Sequence, residues 1–419
     1  MNKQTRTCLV RARNDSLEVV CLATAILDLD VERLPEAIEG LDRYATALAL
    51  LRLQGTPCGQ LRRPVVDGRV DVAQLRDEVI AAFGWSLARR RLQRQLGWEA
   101  PPSAAAGGLP SVTVAVCTRD RPLALAHCLE ALERLPDDGQ ELLVIDNCPS
   151  RPDSRHVVAR HPRVRYVVEP RLGLDCARNR ALQEARHDVV AFTDDDTAPD
   201  PGWLRGLRPN FADPLVMCVT GLTMPLELET DAQEWFERYS PFGRGFERLV
   251  LDSSNVGPAH ANRAGAGANM AIRRTALTAV GPFDEALDAG TPTRSGGDTD
   301  YFMRLLAAGY RIVYDPAALS WHRHRQTWAD LRSAQYGYGV GVYAAWTRNL
   351  IVEGELGVLK AALGWLRYVQ LPTLLRSLLR RSGRTPLDLL LAELRGCAMG
   401  PVAYLRTRAS LHGRASSAV

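Results

Sequence analysis

The sequence predicts an α/β protein: a mostly parallel sheet flanked by helices, with a small N-terminal α+β module and a helical C-terminal region. Three observations carry that expectation. From residue 111 onward, apolar runs of strand length alternate with amphipathic stretches. A Pro-, Gly- and Ala-rich stretch separates this rhythm from the first hundred residues. From about residue 329 the chain becomes basic and helical in period. The expected division is 1–100 for the accessory module, 101–110 for a linker, 111–328 for the α/β domain and 329–419 for the basic helical region.

Within the accessory module, EVVCLATAILDL reads as strand-like or buried, whereas VAQLRDEVIAAFGWSLARRRLQRQL carries apolar residues at helical spacing with a basic outer face. Its Arg89, Arg90, Arg91 and Arg94 suit a solvated helix face or an acidic partner. The linker, Pro101 to Pro110 (PPSAAAGGLP), can neither nucleate a helix nor pack a strand. After it come strands at Val112–Cys117, Glu141–Ile145, Val164–Val168 and Val189–Phe192, with helices at Leu123–Leu135 and Leu174–Ala185. That order implies right-handed crossovers and parallel pairing. Ligands of such sheets bind beyond the carboxyl ends of the strands. There the sequence places Thr118, Arg119 and Asp120, then Asp146 and Asn147, then Asp194, Asp195 and Asp196.

Composition narrows the function classes. The 419 residues are 46% hydrophobic and 24% charged, ordinary values for a globular chain, and no segment reads as a membrane span. The N-terminus, MNKQTRTCLVRARNDSLE, is too charged for a signal peptide, so a cytoplasmic protein is expected, with the inner face of the membrane as a further site. Nine scattered cysteines without C-x-x-C spacing exclude a zinc knuckle and a disulfide framework. A net charge of only +4 speaks against nucleic acid as a partner. The charge is uneven, however. Residues 321–419 hold 14 Lys or Arg against 5 Asp or Glu.

Asp194, Asp195 and Asp196 follow the apolar run VVAF, where a buried strand meets solvent. Adjacent carboxylates repel one another and are tolerated best when a cation or hydrogen-bond donors hold the charge. Helix caps and turns also use such triplets. No G-x-G-x-x-G and no G-x-x-x-x-G-K-[ST] follows any strand, so a nucleotide here would need acidic groups plus a divalent cation, Mg²⁺ or Mn²⁺.

From about Ser111 to Arg325 these motifs resemble family 2 glycosyltransferases of the GT-A fold. SVTVAVCTRDRP is similar to the family's opening strand and nucleotide-facing turn, LLVIDNCPS to the strand ending in the aspartate that contacts the nucleobase, and AFTDDDTAPDPGWL to its D-x-D element. RLGLDCARNRAL is similar to the stretch whose Arg and Asn flank the nucleotide. The resemblance implies a donor site from Thr118, Arg119, Asp120, Asp146, Arg178, Asn179, Asp194 and Asp195. It implies a metal on Asp196, with His322 favoured over His324 as a further ligand. GAGANMAIRRTAL resembles the loop near sugar and acceptor, giving Gly267 and Asn269, with Trp203 and Asp300 assigned to the same side. SGGDTDYFMRLL resembles the acidic element that supplies the base. Family members commonly carry Glu-Asp where this chain has Gly297-Asp298, so Asp298 aligns with the base and the companion Glu is missing.

What the resemblance implies is metal-dependent transfer of a sugar, with inversion, from a nucleotide-diphosphate donor, UDP favoured, to a hydroxyl of a glycan, lipid-linked or small-molecule acceptor. The residues leave two rivals open: a nucleotidyltransferase, and a catalytically silent sugar- or nucleotide-binding module. The C-terminal stretch Leu356 to Arg380 mixes bulky apolar residues with Lys360, Arg367, Arg376 and Arg380. Two accounts fit it: an amphipathic helix, broken near Pro372, on an anionic membrane surface, or a helix pair packed on the catalytic domain.

Overall fold

The computed structural model describes residues 9–13, 16–20, 23–98, 108–379 and 385–417. Most of the expected linker therefore lies outside the described residues. The chain forms two compact units: one of residues 1–100, 225–241 and 322–328, the other of 101–224, 242–321 and 329–419.

In the first unit, β1 (Leu9–Arg13) and β2 (Ser16–Val20) form an antiparallel ribbon. β3 (Thr24–Asp30), β4 (Thr46–Leu53) and β5 (Thr56–Pro64) form a sheet in which β3 and β4 run parallel and β4 and β5 antiparallel. Gln54 and Gly55 join β4 to β5 with φ of 53° and 80°, the paired positive values that match a two-residue turn to the strand twist. Helix α1 (Val72–Gln95) lays Leu75, Val79, Phe83 and Leu87 on Leu51, Leu53 and Cys58. The excursion 225–241 joins this unit by an antiparallel bridge, Thr24 N–H donating to the Leu228 carbonyl at 2.8 Å.

The second unit begins with β6 (Val112–Thr118), α2 (Pro122–Glu133), β7 (Glu141–Asn147), α3 (Asp153–Val158), β8 (Val164–Glu169), α4 (Leu174–Glu184) and β9 (Val189–Asp194). The four strands and two long helices stand where periodicity put them, with ends shifted by a residue or two. β6 pairs in parallel with both β7 and β9, and β7 with β8. Alternation along the strands builds two cores: Val114, Val116 and Val144 meet Leu125 and Leu129 of α2, while Ala115, Leu143 and Phe192 meet Ala177 and Ala181 of α4.

After β9 no crossover helix intervenes, and the chain turns directly into β10 (Thr197–Pro199) and α5 (Trp203–Leu207). β11 (Val216–Pro225) follows, then α6 (Asp231–Tyr239, within the first unit), β12 (Leu249–Leu251), β13 (Asn269–Arg273), α7 (Ala276–Val280), α8 (Gly297–Ala307) and β14 (Arg311–His322). The sheet order is β10-β14-β11-β13-β9-β6-β7-β8, with β12 on β14. The parallel expectation thus holds on one side of β9. On the other, β13 runs antiparallel to both β9 and β11.

Asn269 locks this antiparallel half. Its amide donates to the carbonyls of Leu222 and Ala318, each at 2.9 Å, and its oxygen accepts from the Trp203 indole at 2.7 Å. The close approach needs glycine at 221, where a Cβ would lie 1.9 Å from the Ala318 carbonyl oxygen.

The last part of the second unit is helical: α9 (Trp328–Arg348), α10 (Gly357–Trp365), α11 (Leu371–Leu378) and α12 (Leu387–Ser417). Contrary to the expected break, the helical path continues through Pro372. Residues 366–370 form a wider turn with bonds to the fifth residue, and Pro372 falls in the first turn of the following segment, where a missing N–H costs least. No helix among the described residues is long and apolar enough to cross a membrane.

Gly221→Ala is expected to cost about 3 kcal/mol or more, because the obstacle is backbone. Gly364→Ala, in an open helical position, should be neutral or mildly stabilising. Urea midpoints of the two variants check this contrast.

Candidate active site

The sheet register sets the strand ends side by side. Cys117 is opposite Asp194, and Thr118 is opposite Asp146, so three carboxyl-end turns open onto one edge. The Thr118 hydroxyl donates to Asp195 Oδ2 at 2.7 Å. Arg121, just before α2, bridges the triplet, pairing with Asp195 and donating to Asp196 Oδ2 at 2.9 Å. Asp195 and Asp196 are buried while the Arg121 side chain stays 42% exposed. Burial first, and Asp196 next, push the Asp194 carboxyl up to about 7. The backbone carbonyl of Asp194 accepts from the Thr197 hydroxyl at 2.7 Å, which fixes the turn.

Among the described residues, no group of three or more His, Cys, Asp or Glu is arranged to hold a metal. The donor set nevertheless fits a hard cation. Mg²⁺-type ions are held by one or two carboxylates plus substrate phosphates rather than by an all-protein cage. Asp196 and its neighbours are oxygen donors whose charge Arg121 offsets only in part, which leaves room for a cation.

At the neighbouring strand end, Asp146 is fully buried and accepts from the Tyr166 hydroxyl at 2.6 Å. Its Oδ1 is buried without a hydrogen-bond partner, and burial raises its pKa. Such an orphaned acceptor is costly unless a ligand donor meets it. Asp120, left-handed at φ 52°, accepts the Ser150 N–H at 2.9 Å, with exposed Arg119 3.7 Å from its carboxylate. Asn147 ties the turn after β8, donating to the Arg171 carbonyl at 2.7 Å and accepting the Gly173 N–H at 3.0 Å.

Arg178 on α4 is buried between Asp175 (2.9 Å) and Asp288 (2.7 Å). Asp288 reaches it from a left-handed backbone, φ 71°. Asp298 and Asp194 lie within electrostatic range of the same guanidinium. Asp298 stands in the first turn of α8, where the helix end favours its charge. Its Oδ2 accepts the Gly267 N–H at 2.7 Å and its Oδ1 the Thr299 N–H at 2.7 Å. A Cβ on Gly267 would lie 2.8 Å from Arg178 Nη2 and 3.0 Å from Asp298 Oδ2, so both groups flank one glycine. Asp298 therefore lies beside Arg178, whose guanidinium also feels Asp194.

The missing companion Glu has a structural counterpart. A Cβ on Gly297 would sit 2.0 Å from Asp175 Oδ2, so the Asp175 carboxyl from α4 occupies the space a side chain at 297 would need. That oxygen is buried without a hydrogen-bond partner, and burial together with Asp288 raises Asp175 well above the usual carboxylate range.

Other expected residues take different positions. Asn179 donates its amide N–H to the Phe283 carbonyl (3.0 Å) and accepts the Phe283 N–H on its oxygen (2.8 Å), clamping that segment to α4. Trp203 and Asn269 are fully buried against each other inside the sheet. Asp300, two residues past Asp298 and so on another face of α8, is buried with Arg304 (3.0 Å), Arg348 (3.3 Å) and Asn349 (2.7 Å). His322 belongs to the first unit. There its Nδ1 lies 2.9 Å from that of His324, whose Nε2 lies 3.1 Å from Glu237 Oε2. The two rings meet because residues two apart in extended chain share a face.

Sequence reasoning passed over Arg121, Asp175, Asp288 and Arg244. The Asp175/Arg178 spacing of three on a helix was a readable signal. Arg244, its guanidinium held by the carbonyls of Phe242, Gly243 and Asn262 at 3.2–3.3 Å, faces Asp298 electrostatically and left no such mark.

Gly297→Ala is expected to lower stability by about 1–3 kcal/mol, since the Asp175 carboxyl must yield. The loss should shrink in an Asp175→Ala background. Chemical denaturation of the four-member cycle reads the coupling.

The chain is similar to several known proteins. Residues 113–277 match the model of Glycosyl transferase family 2. The pre-mycofactocin glycosyltransferase of Mycobacterium tuberculosis is 33% identical over 299 residues, 69% of this chain and 56% of that protein. An N-acetylglucosaminyltransferase of Sinorhizobium fredii is 26% identical over 232 residues, 52% of this chain and 54% of that protein. The chain thus spans a little over half the length of these relatives. The mannosyltransferase PcManGT of Pyrobaculum calidifontis, solved with GDP-Man and Mn²⁺, aligns with a TM-score of 0.47 at 20% identity over 79% of this chain and 95% of its own, too distant to carry a ligand across. The match over residues 113–277, together with the similarity to named glycosyltransferases, identifies this part of the chain as a glycosyl transferase family 2 domain.

Proposed function

We propose that this protein is a metal-dependent glycosyltransferase that moves a sugar, with inversion, from a nucleotide-diphosphate donor to a hydroxyl acceptor on a lipid-linked or cell-envelope glycan. The observation that carries the reading is the setting of Asp298: a half-buried carboxylate, held by the Gly267 N–H, on the Arg178 side of the cleft edged by Asp194. UDP as the carrier rests on the sequence resemblance.

In this reading the orphaned Asp146 oxygen accepts from the nucleobase, with Tyr166 holding the other oxygen in place. Asp194 faces the ribose, and Asp196 with the donor diphosphate would hold the cation. When bound, that divalent ion neutralises charge on the departing diphosphate. Asp298 takes the proton of the acceptor hydroxyl as its oxygen attacks the anomeric carbon. A single base and in-line displacement invert the anomeric centre. Asn269, Trp203 and Asp300 contribute by fixing the sheet and α8 behind the acceptor, whereas Gly267 lets the backbone approach closely.

Asp298→Asn should retain nucleotide binding yet lose about 10²–10⁴ in transfer rate. The measurements are donor affinity by calorimetry and nucleoside diphosphate release with acceptor present. Undiminished transfer removes the base assignment, and pyrophosphate as product removes the reaction class. Asp146→Ala should weaken nucleotide binding by about 10–100-fold, the value of a hydrogen bond to a charged group, with little change in cation dependence.

The raised Asp194 carboxyl gives a signed pH dependence. Below about 7 it holds a proton that cation binding beside it must displace. Apparent Mn²⁺ affinity should therefore rise up to about tenfold per pH unit toward neutrality and level off above. In the cation-free protein the sign reverses: stability falls as pH climbs from the ordinary carboxylate range through 7. Calorimetric Mn²⁺ titrations and denaturation midpoints across this range test both slopes.

A further inference from the structure

The stretch from Leu356 to Leu379 is built inside out. Its buried positions are Val358, Ala361, Gln370 and Ser377, small or polar side chains, with Gln370 donating to Cys397 Sγ of α12 at 3.2 Å. Trp365 packs inward on Tyr343 and Trp346, but most of the leucines face outward: Leu356 is 68% exposed, Leu363 64%, Leu375 58% and Leu379 63%, with Leu359 and Leu378 beside them. A water-facing helix does the opposite, burying its leucines and exposing polar groups. Contiguous exposed apolar surface of this kind marks a binding face.

The layer beneath does not need those leucines. α9 and α12 meet through glycines. A Cβ on Gly339 would lie 2.3 Å from the Glu393 carbonyl oxygen, and one on Gly396 2.2 Å from that of Tyr336. Backbone-to-backbone packing through small residues, with bulky apolar groups left outside, is how helices associate when their surroundings are apolar. No helix among the described residues is long and apolar enough to span a bilayer, and a face of this kind suits a bilayer surface.

Charge identifies the occupant. Residues 356–379 contain Lys360, Arg367 and Arg376 and no Asp or Glu, and all three basic residues are exposed among the leucines. Long basic side chains can rest their stems on apolar surface and place their charge at phosphate level. Against a second copy of the chain, the same three charges would face their like and oppose association. We infer that the α10–α11 face docks on an anionic lipid bilayer, leucines in the acyl boundary and Lys360, Arg367 and Arg376 at the headgroups. The inference rests on this surface alone and is independent of the glycosyl-transfer reading.

The test is co-sedimentation of the full chain with phosphatidylcholine vesicles and with vesicles containing about one third phosphatidylglycerol, alongside light scattering of the protein alone. The expected result is a monomer that pellets with anionic vesicles at least roughly tenfold more strongly than with neutral ones. Leu363→Glu/Leu375→Glu should abolish pelleting on both, and Lys360→Glu/Arg367→Glu/Arg376→Glu should remove the anionic preference. Circular dichroism and nucleotide affinity should match the parent in both variants, which separates failed docking from a failed fold or an altered donor site. Equal recovery in the supernatant with every vesicle, or a dimer that the leucine variant dissociates, overturns the proposal.

Discussion

One buried guanidinium keeps the cleft of this protein from flying apart. Arg178 serves Asp175 of its own helix, Asp288 from a distant loop, and at longer range Asp298 and Asp194. Carboxylates brought this close repel by several kcal/mol unless something compensates, and a buried ion pair that loses its arginine leaves uncompensated charge worth about 3–5 kcal/mol. Arg121 does the corresponding work for Asp195 and Asp196 at the solvent edge. The difference in exposure matters. The inner arginine is sealed in the fold, whereas the outer one remains open to solvent.

The frame that delivers these groups is a sheet of two characters. Its parallel half brings Thr118, Asp146 and Asp194 to one edge by register alone. Its antiparallel half depends on the Asn269 knot, where one side-chain amide satisfies two carbonyls and an indole. Because Asn269 pairs with Thr193 in register, the loop carrying Gly267 is held beside the D-x-D turn. Asp298, bonded to that loop, inherits its position from strand pairing more than 100 residues upstream.

The parallel strands were readable because four buried strands alternate with amphipathic helices, and the rule that ligands sit beyond strand carboxyl ends pointed to Asp146 and Asp194, which the register sets at one edge. Asn269, Trp203 and Asp300 show where that reading ends. A polar side chain bonded to backbone carbonyls inside a sheet has the same sequence signature as one facing a sugar. Asp288 was invisible for another reason: its partner Arg178 lies 110 residues earlier, and no local period links them. The resemblance identified Gly297 as a departure, but only three-dimensional contact explains it, since the space is filled by Asp175.

Helix α8 carries Asp298 on the cleft side, while Asp300 is pinned inside by Arg304, Arg348 and Asn349. The helix cannot roll about its axis without tearing that inner cluster, so the bearing of the outer carboxylate is clocked from behind. Two of the pins, Arg348 and Asn349, sit at the end of α9, the helix that packs against α12 through glycine. Mechanical load on the C-terminal helices therefore has a packed route to the bearing of one carboxylate, and a distant substitution there would register first as a turn of α8.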